Sequence, residues 1–327
     1  MQRRNLLIAG CAMAGLRPAF AADNDVGKYP NRPVTVVVGF AAGGPTDGIT
    51  RMLADLLGQH FKQPFVVENR LGANGAVAAT YMKSLAPDGY NLLLGGSGTM
   101  VVAPNLNERV AYDTLRDFTA IARVSDYPYF LVVPRNSQFA TTRELIDYGR
   151  KHKGEFSYAS AGNGAGNHLA GEWFKAGTGI EAVHIPYKGD AAALADVLAG
   201  RVTFSFLSGV VAAPHIKIGT LKVLGVTSLS PGRGGDGVPL IADSGIPNFA
   251  VEPWTGIFAP AGMAPALVTK LNGAIRQVMD TPDAKQRLTV IGQFERSSSP
   301  EEFRDYIKTE YARWGQVIRD AKIPKET

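Results

Sequence analysis

Val34-Thr35-Val36-Val37-Val38-Gly39-Phe40-Ala41-Ala42-Gly43-Gly44-Pro45-Thr46-Asp47 opens with a continuous β-branched run, which suits a strand buried on both faces. It passes through a glycine-rich turn and enters a helix, with Thr46 or Asp47 expected as N-cap. Ile49, Met52, Leu53, Leu56, Leu57 and Phe61 then repeat with helical period. The alternation continues, with a strand at Phe65-Val66-Val67, a helix from Ala73 to Leu85 and a strand from Asn91 to Leu94. Strands alternating with helices predict a parallel sheet covered on both faces.

The pattern restarts downstream. Strands are predicted at Phe130 to Val133, Phe156 to Tyr158, Val183 to Tyr187, Phe204 to Leu207 and Leu221 to Val226. Helices fall at Thr142 to Lys153, Ala165 to Gly177 and Ala191 to Leu198, the last with Leu194, Val197 and Leu198 inward. Pro231 to Gly237 reads as a surface loop. From Trp254 the chain returns to the first unit, with a strand at Gly256 to Pro260 and three helices. The arrangement is two α/β lobes, the first (28–127) completed by the C-terminal part (249–327) and the second spanning 128–248. The crossings are placed near Tyr127 and Asn248.

The chain has 327 residues, 45% hydrophobic and 19% charged, with 37 Gly and 20 Pro, which excludes a disordered, collagenous or coiled-coil protein. Residues 1–21 read as an export signal: Arg3 and Arg4, an apolar run from Leu6 to Leu16, and Ala19-Phe20-Ala21 at the cleavage site. Ile8-Ala9-Gly10-Cys11 resembles a lipobox, but the apolar run before it is too short, so a lipid anchor on Cys11 is not expected. Arg3-Arg4-Asn5-Leu6-Leu7 also resembles a twin-arginine signal. Both routes lead out of the cytoplasm. Cleavage removes three arginines, which lowers the net charge of +5 to +2 with 31 basic against 29 acidic residues. Nucleic acid is therefore not an expected partner. The single cysteine, Cys11, lies in the signal, which leaves the mature chain without a disulfide, a thiol nucleophile or a cysteine metal site.

Three junctions share a strand, a glycine-rich turn and a helix: Phe40 to Asp47, Gly95-Gly96-Ser97-Gly98-Thr99, and Ser160 to His168. Such turns lie beyond the carboxyl ends of parallel strands, where ligands of open α/β sheets bind. Glycine admits a close ligand, and free N–H groups at a helix start attract an anion. Phosphate fits poorly, because Pro45-Thr46 stands where a P-loop needs Lys-Ser/Thr, and Asn167 replaces the third glycine of a dinucleotide fingerprint. Thr99 replaces the last glycine of a nucleophile elbow. The histidines at 60, 152, 168, 184 and 215 lack zinc spacing, and no cofactor is expected. His168 and Glu172 read as a capping or surface pair, His184 as a core or rim residue, and Trp254 as core or hinge packing. Lys188, in Tyr187-Lys188-Gly189-Asp190, could bond a carboxylate or be a solvated loop lysine. Binding groups are present without a nucleophile.

These blocks carry a resemblance to the Bug family, the extracytoplasmic solute receptors of tripartite tricarboxylate transporters. Its further marks are Tyr29-Pro30-Asn31-Arg32-Pro33-Val34, Val67-Glu68-Asn69-Arg70, Pro87-Asp88-Gly89-Tyr90, Pro186-Tyr187-Lys188-Gly189, Pro214-His215-Ile216-Lys217 and Trp254 to Gly262. The resemblance implies a periplasmic, two-lobed binding protein of the type II (Venus flytrap) architecture, each lobe a mostly parallel sheet flanked by helices. It also implies a monomer that closes on a small carboxylated solute without chemistry. Carried over to this chain, Phe40, Ala41, Ala42, Gly44, Thr46 and Asp47 form one jaw; Ala161, Gly162, Asn163 and Gly164, with Asn167 and His168, form the other. Ser97, Thr99, Tyr187, Lys188 and Ser208 line the cleft. The partners implied are membrane transporter subunits, with a sensor kinase as the alternative; an exported hydrolase or isomerase is the more distant rival. Two departures stand out. Gly39-Phe40-Ala41-Ala42 replaces a stiffer Pro-Phe-Pro approach. Aspartates that many members carry near Thr203 and Leu207 are absent, with Ser205 and Ser208 instead, so a ligand without an amino group is expected.

Overall fold

A computed structural model describes residues 26–325 (for Pro45, the backbone only). The export signal and Cys11 lie outside the described residues. Lobe 1 contains β1 (Val34–Val38), α1 (Pro45–Phe61), β2 (Phe65–Asn69), α2 (Ala76–Met82), β3 (Asn91–Gly96), α3 (Ala103–Leu106) and β4 (Phe118–Asp126). Lobe 2 follows with β5 (Tyr129–Pro134), α4 (Thr142–Lys151), β6 (Phe156–Ser160), α5 (Gly166–Thr178), β7 (Ala182–Pro186), α6 (Asp190–Leu198), β8 (Phe204–Ser208), α7 (Gly209–Lys217) and β9 (Leu221–Val226). The chain then returns through β10 (Trp254–Pro260), α8 (Pro265–Met279), α9 (Pro282–Val290), β11 (Phe294–Glu295) and α10 (Pro300–Asp320).

The two sheets share one topology although no repeat is visible in the sequence. Lobe 1 has the order β2-β1-β3-β10-β4-β11 and lobe 2 the order β7-β6-β8-β5-β9. β1 pairs parallel with β2 and β3, as β6 does with β7 and β8. β10 is antiparallel to β3 and β4, and β5 to β8 and β9. Each sheet is thus mainly parallel, with an antiparallel strand inserted before its last parallel member. The inserted strand is in each case the one that has just crossed from the other lobe. A strand arriving at the hinge must run away from it, whereas the βαβ strands run toward it. The register agrees: Trp254, the first residue of β10, lies opposite Asp126, and Tyr129, the first of β5, opposite Ser208. The carboxyl ends of β3, β4 and β8 are therefore level with the crossings.

The first crossing passes through Tyr127-Pro128. The second lies at Glu252-Pro253: Val251 N still donates to Thr227 O at 2.9 Å, and Tyr127 N donates to Pro253 O at 3.0 Å. α10 packs beside the junction. Its capping box is formed by Ser299 and Glu302, and it buries Phe303, Ile307, Trp314 and Ile318, each worth about 1.5–3 kcal/mol. Trp314 also meets Trp173 of α5 edge-on at 6.1 Å, so the C-terminal helix touches both lobes. Trp254 is core, packed edge-on against Phe303 at 5.4 Å.

Several local expectations are corrected. α1 starts at Pro45 with Gly44 as N-cap, ahead of Thr46 and Asp47, because proline lacks the amide that the first helical position leaves unpaired. The helix expected from Ala73 begins only at Ala76; Ala73, Asn74 and Gly75 all have positive φ and form a separate short turn. Gly95-Gly96 is strand, paired with Gly256 and Thr255, and Gly98–Val102 makes a single wide helical turn directly after Ser97. Leu198 is exposed, and Ala193 is buried beside Val197. In the loop Pro231 to Gly237, Arg233 is buried, held by the Asp126 carboxylate.

Candidate functional site

The two jaws occupy equivalent places in the two lobes, each following the first strand of its βαβ run. In lobe 1 the turn after β1 exposes Ala41, Ala42 and Gly43 and half-buries Phe40, Gly44 and Thr46. Gly39 permits the approach of a second loop, since a Cβ there would lie 2.4 Å from Gly75 Cα. Asp47 is buried and turns back onto its own turn. Its Oδ2 accepts from Gly43 N at 2.9 Å and from Arg51 Nε at 2.8 Å, and its Oδ1 accepts from Asn69 Nδ2 at 2.8 Å. Arg51, then Asn69 and Gly43, hold its pKa below the usual carboxylate range, at about 2. The amides of Ala41 and Ala42 have no partner among the described residues, and those of Thr46 and Asp47 open α1.

In lobe 2, Asn167 of α5 is fully buried. Its Oδ1 accepts from Ala161 N at 3.1 Å and its Nδ2 donates to Asp190 Oδ1 at 2.8 Å. Asp190 Oδ2 accepts from Ser208 N at 3.1 Å and Ser208 Oγ at 2.6 Å. Burial pushes the Asp190 pKa up, against the pull of the hydrogen bonds from Ser208 and Asn167. The start of α5 rests on the hinge: a Cβ at Gly166 would lie 2.7 Å from the Tyr129 hydroxyl. Asn163 is exposed, and Ala161, Gly162 and Gly164 are half-buried.

Beneath this jaw lies a stack of rings. His168 Nδ1 accepts from Gly164 N at 3.2 Å, and its ring covers His184 at 4.2 Å. His184 in turn stacks on Tyr158 at 4.9 Å, whose hydroxyl donates to Glu172 at 2.6 Å. Burial lowers both histidine pKa values, that of His184 to about 4 with help from His168. Ser160 Oγ and His184 Nε2 stand 2.6 Å apart, the spacing of a nucleophile and its base. Ser160 has 0% exposure, however, and its oxygen also accepts from Gly162 N at 3.1 Å.

The remaining residues divide. Ser97 is half-buried and its hydroxyl has no partner among the described residues; Lys188 is exposed. Thr99 is buried with its hydroxyl donating to Asn74 O at 2.7 Å, so it braces a loop. The Tyr187 hydroxyl donates to Asp196 at 2.5 Å and lies along α6. Asp190 carries no local signal beyond its place as the first residue of α6. The premise of no acid near Ser208 is corrected: Asp190 arrives there from another strand–helix junction. A hollow of about 330 Å³ bounded by Arg123, Arg296, Ser297 and Tyr306 lies away from the two glycine-rich turns. Among the described residues no cluster of His, Cys, Asp or Glu could hold a metal ion, and no helix is long and apolar enough to cross a membrane.

Two lobes of matching strand order, joined by two crossing segments and each bearing a glycine-rich turn after the first strand of its βαβ run, are the architecture of a two-lobed solute-binding protein. The chain belongs to the tripartite tricarboxylate transporter family receptor group, whose family model matches residues 49–323. Protein BugT of Bordetella pertussis is 32% identical over 310 residues, covering 94% of this chain and 94% of BugT. Among solved structures, Rpa4515 of R. palustris with adipate is 31% identical with a TM-score of 0.80, covering 91% of this chain and 100% of that one. MatC from Rhodopseudomonas palustris with bound malate is 31% identical with a TM-score of 0.75, covering 89% and 100%.

Proposed function

We propose that this protein captures a small carboxylated solute between its lobes and presents it to the membrane subunits of a tripartite tricarboxylate-type transporter, with no chemistry of its own. The observation that carries this reading is the pair of equivalent turns, Phe40 to Asp47 and Ala161 to Gly164. Each ends at a helix start, and the lobe 1 turn offers the unpartnered amides of Ala41 and Ala42. Backbone amides at two helix starts supply partial positive charge and directed donors, which suits a carboxylate. Adipate and malate, present in the two Rhodopseudomonas structures, are acids of this class. A basic N-terminal stretch that reads as an export signal, together with membership of this family, supports a periplasmic location. Capture requires that ligand contacts favour the closed pair of lobes over the open one.

Thermal shift on the mature chain, stripped of ligand by unfolding and refolding, tests the reading. A carboxylate at 100 times its Kd adds about 2.7 kcal/mol and raises the melting midpoint by several degrees. A response confined to uncharged solutes overturns it.

A further inference from the structure

The jaws are built alike but charged differently. In each, an asparagine amide donates to an aspartate Oδ1 at 2.8 Å: Asn69 to Asp47 in lobe 1, Asn167 to Asp190 in lobe 2. In lobe 1 the carboxylate is neutralised by Arg51 at 2.8 Å. In lobe 2 Asp190 has three donors, from Asn167 and Ser208, and forms no ion pair among the described residues. Lys188, two residues earlier, is exposed and does not pair with it. The ionisable groups that feel its charge are the hinge tyrosines Tyr127 and Tyr129, and both stay neutral near pH 7. Ser208, which holds Asp190, closes β8 level with the first residue of β5, so the carboxylate stands at the hinge end of the lobe 2 sheet.

We infer that Asp190 selects the far end of the ligand: the solute carries a hydrogen-bond donor there, an ammonium or hydroxyl, and a second carboxylate is disfavoured. This rests on the carboxylate-capture reading. The solute's carboxylate seats on the lobe 1 amides, whose neighbouring acid is already neutralised. The opposite end meets a carboxylate whose partners are all uncharged. A second carboxylate there would meet like charge in a partly desolvated site, whereas an ammonium completes an ion pair. Discrimination thus comes from a repulsive element as well as an attractive one.

The test uses matched pairs in which one carboxylate is exchanged for an ammonium on the same methylene chain: succinate with β-alanine, glutarate with 4-aminobutyrate, adipate with 5-aminopentanoate. Affinities are measured by calorimetry on refolded wild type and on D190N, an isosteric change that keeps an acceptor for Asn167. In wild type the ammonium member of the best-fitting pair binds at least about tenfold more tightly. D190N weakens that member about tenfold and strengthens the dicarboxylate. Tighter binding of the dicarboxylate by wild type overturns the inference and leaves carboxylate capture standing. An equal effect of D190N on both members also overturns it. Should D190N fail to fold, the wild-type preference alone decides. Binding of neither member of any pair, with uncharged solutes binding instead, removes the capture reading and this inference with it.

Discussion

Asn167 donates from Nδ2 to Oδ1 of Asp190 at 2.8 Å while its own Oδ1 accepts from Ala161 N at 3.1 Å. One buried amide therefore ties the lobe 2 jaw to the join between β7 and α6. Lobe 1 contains the same bond with the partners exchanged, from Asn69 on the strand to Asp47 on the helix. In both lobes a turn made largely of glycine and alanine is held by a polar side chain rooted outside it, which gives a flexible segment a defined shape.

Removing that support loosens the jaw. N167A leaves Ala161 N and Asp190 Oδ1 without this partner in a buried setting, at a cost of about 1–3 kcal/mol in stability. Chemical denaturation reads the loss. Calorimetry is expected to show weaker ligand binding with a larger unfavourable entropy, since the jaw must be ordered on binding.

A substitution on the exposed part of the turn separates binding from folding. Ala42 is exposed and its amide faces no partner, so A42F is expected to change stability by no more than about 0.5 kcal/mol. Ligand affinity falls by about tenfold or more, because the ring occupies the approach to the amides. Unchanged affinity would remove this turn from the site.

Acid acts in two windows. His184 has a native pKa of about 4 against an ordinary 6.5, lowered by burial and by His168. The unfolded chain takes up this proton first, so the stabilising contribution is complete above pH 6.5 and lost as pH falls toward 4. Asp47, held at about 2, contributes fully above its ordinary 3.8 and loses the contribution as pH falls through 2. Melting midpoints recorded from pH 7 to pH 4 are expected to decline in the wild type. In H184N the decline over that range flattens, whereas in D47N it persists.

At the hinge, Arg233 reaches from the loop after β9 to Asp126 at the end of β4, and its guanidinium lies 4.3 Å over the Phe294 ring. Asp126 is also held by Arg123 at 2.5 Å and Arg296 at 3.1 Å. Breaking a buried pair by removing one partner costs about 3–5 kcal/mol, and the lower end applies here because two arginines remain. R233M is therefore expected to lower stability by about 3 kcal/mol in urea unfolding. R233M/D126N is expected to lose further stability, since Arg123 and Arg296 then lose their carboxylate, and a double-mutant cycle measures the coupling.

Much of the architecture was legible along the chain because it is written in short-range periods. The β-branched run Val34 to Val38, the helical spacing from Ile49 to Phe61 and the restart at Phe130 each depend on residues within a few positions of one another. The two glycine-rich turns were legible for the same reason, since such a turn between strand and helix is a contiguous signal. Where local readings failed, backbone or pairing context decided. Gly95-Gly96 was drawn into strand by β10, more than 150 residues later, and Ala73 to Gly75 took a left-handed path that no helix accepts.

Tertiary structure alone decided which side chains face one another and with what charge. Asp190 lies 18 residues from Ser208 and 23 from Asn167, and Arg233 lies 107 from Asp126. No period or spacing encodes such meetings; they arise when two sheets of one topology are brought together at a common hinge. The sequence by itself determined two α/β lobes with anion-seeking turns. Packing then determined that the lobe 2 carboxylate has only uncharged partners, because Asn167 and Ser208 reach it from separate elements, whereas the Asp47–Arg51 pair of lobe 1 stands four residues apart on α1 and is local.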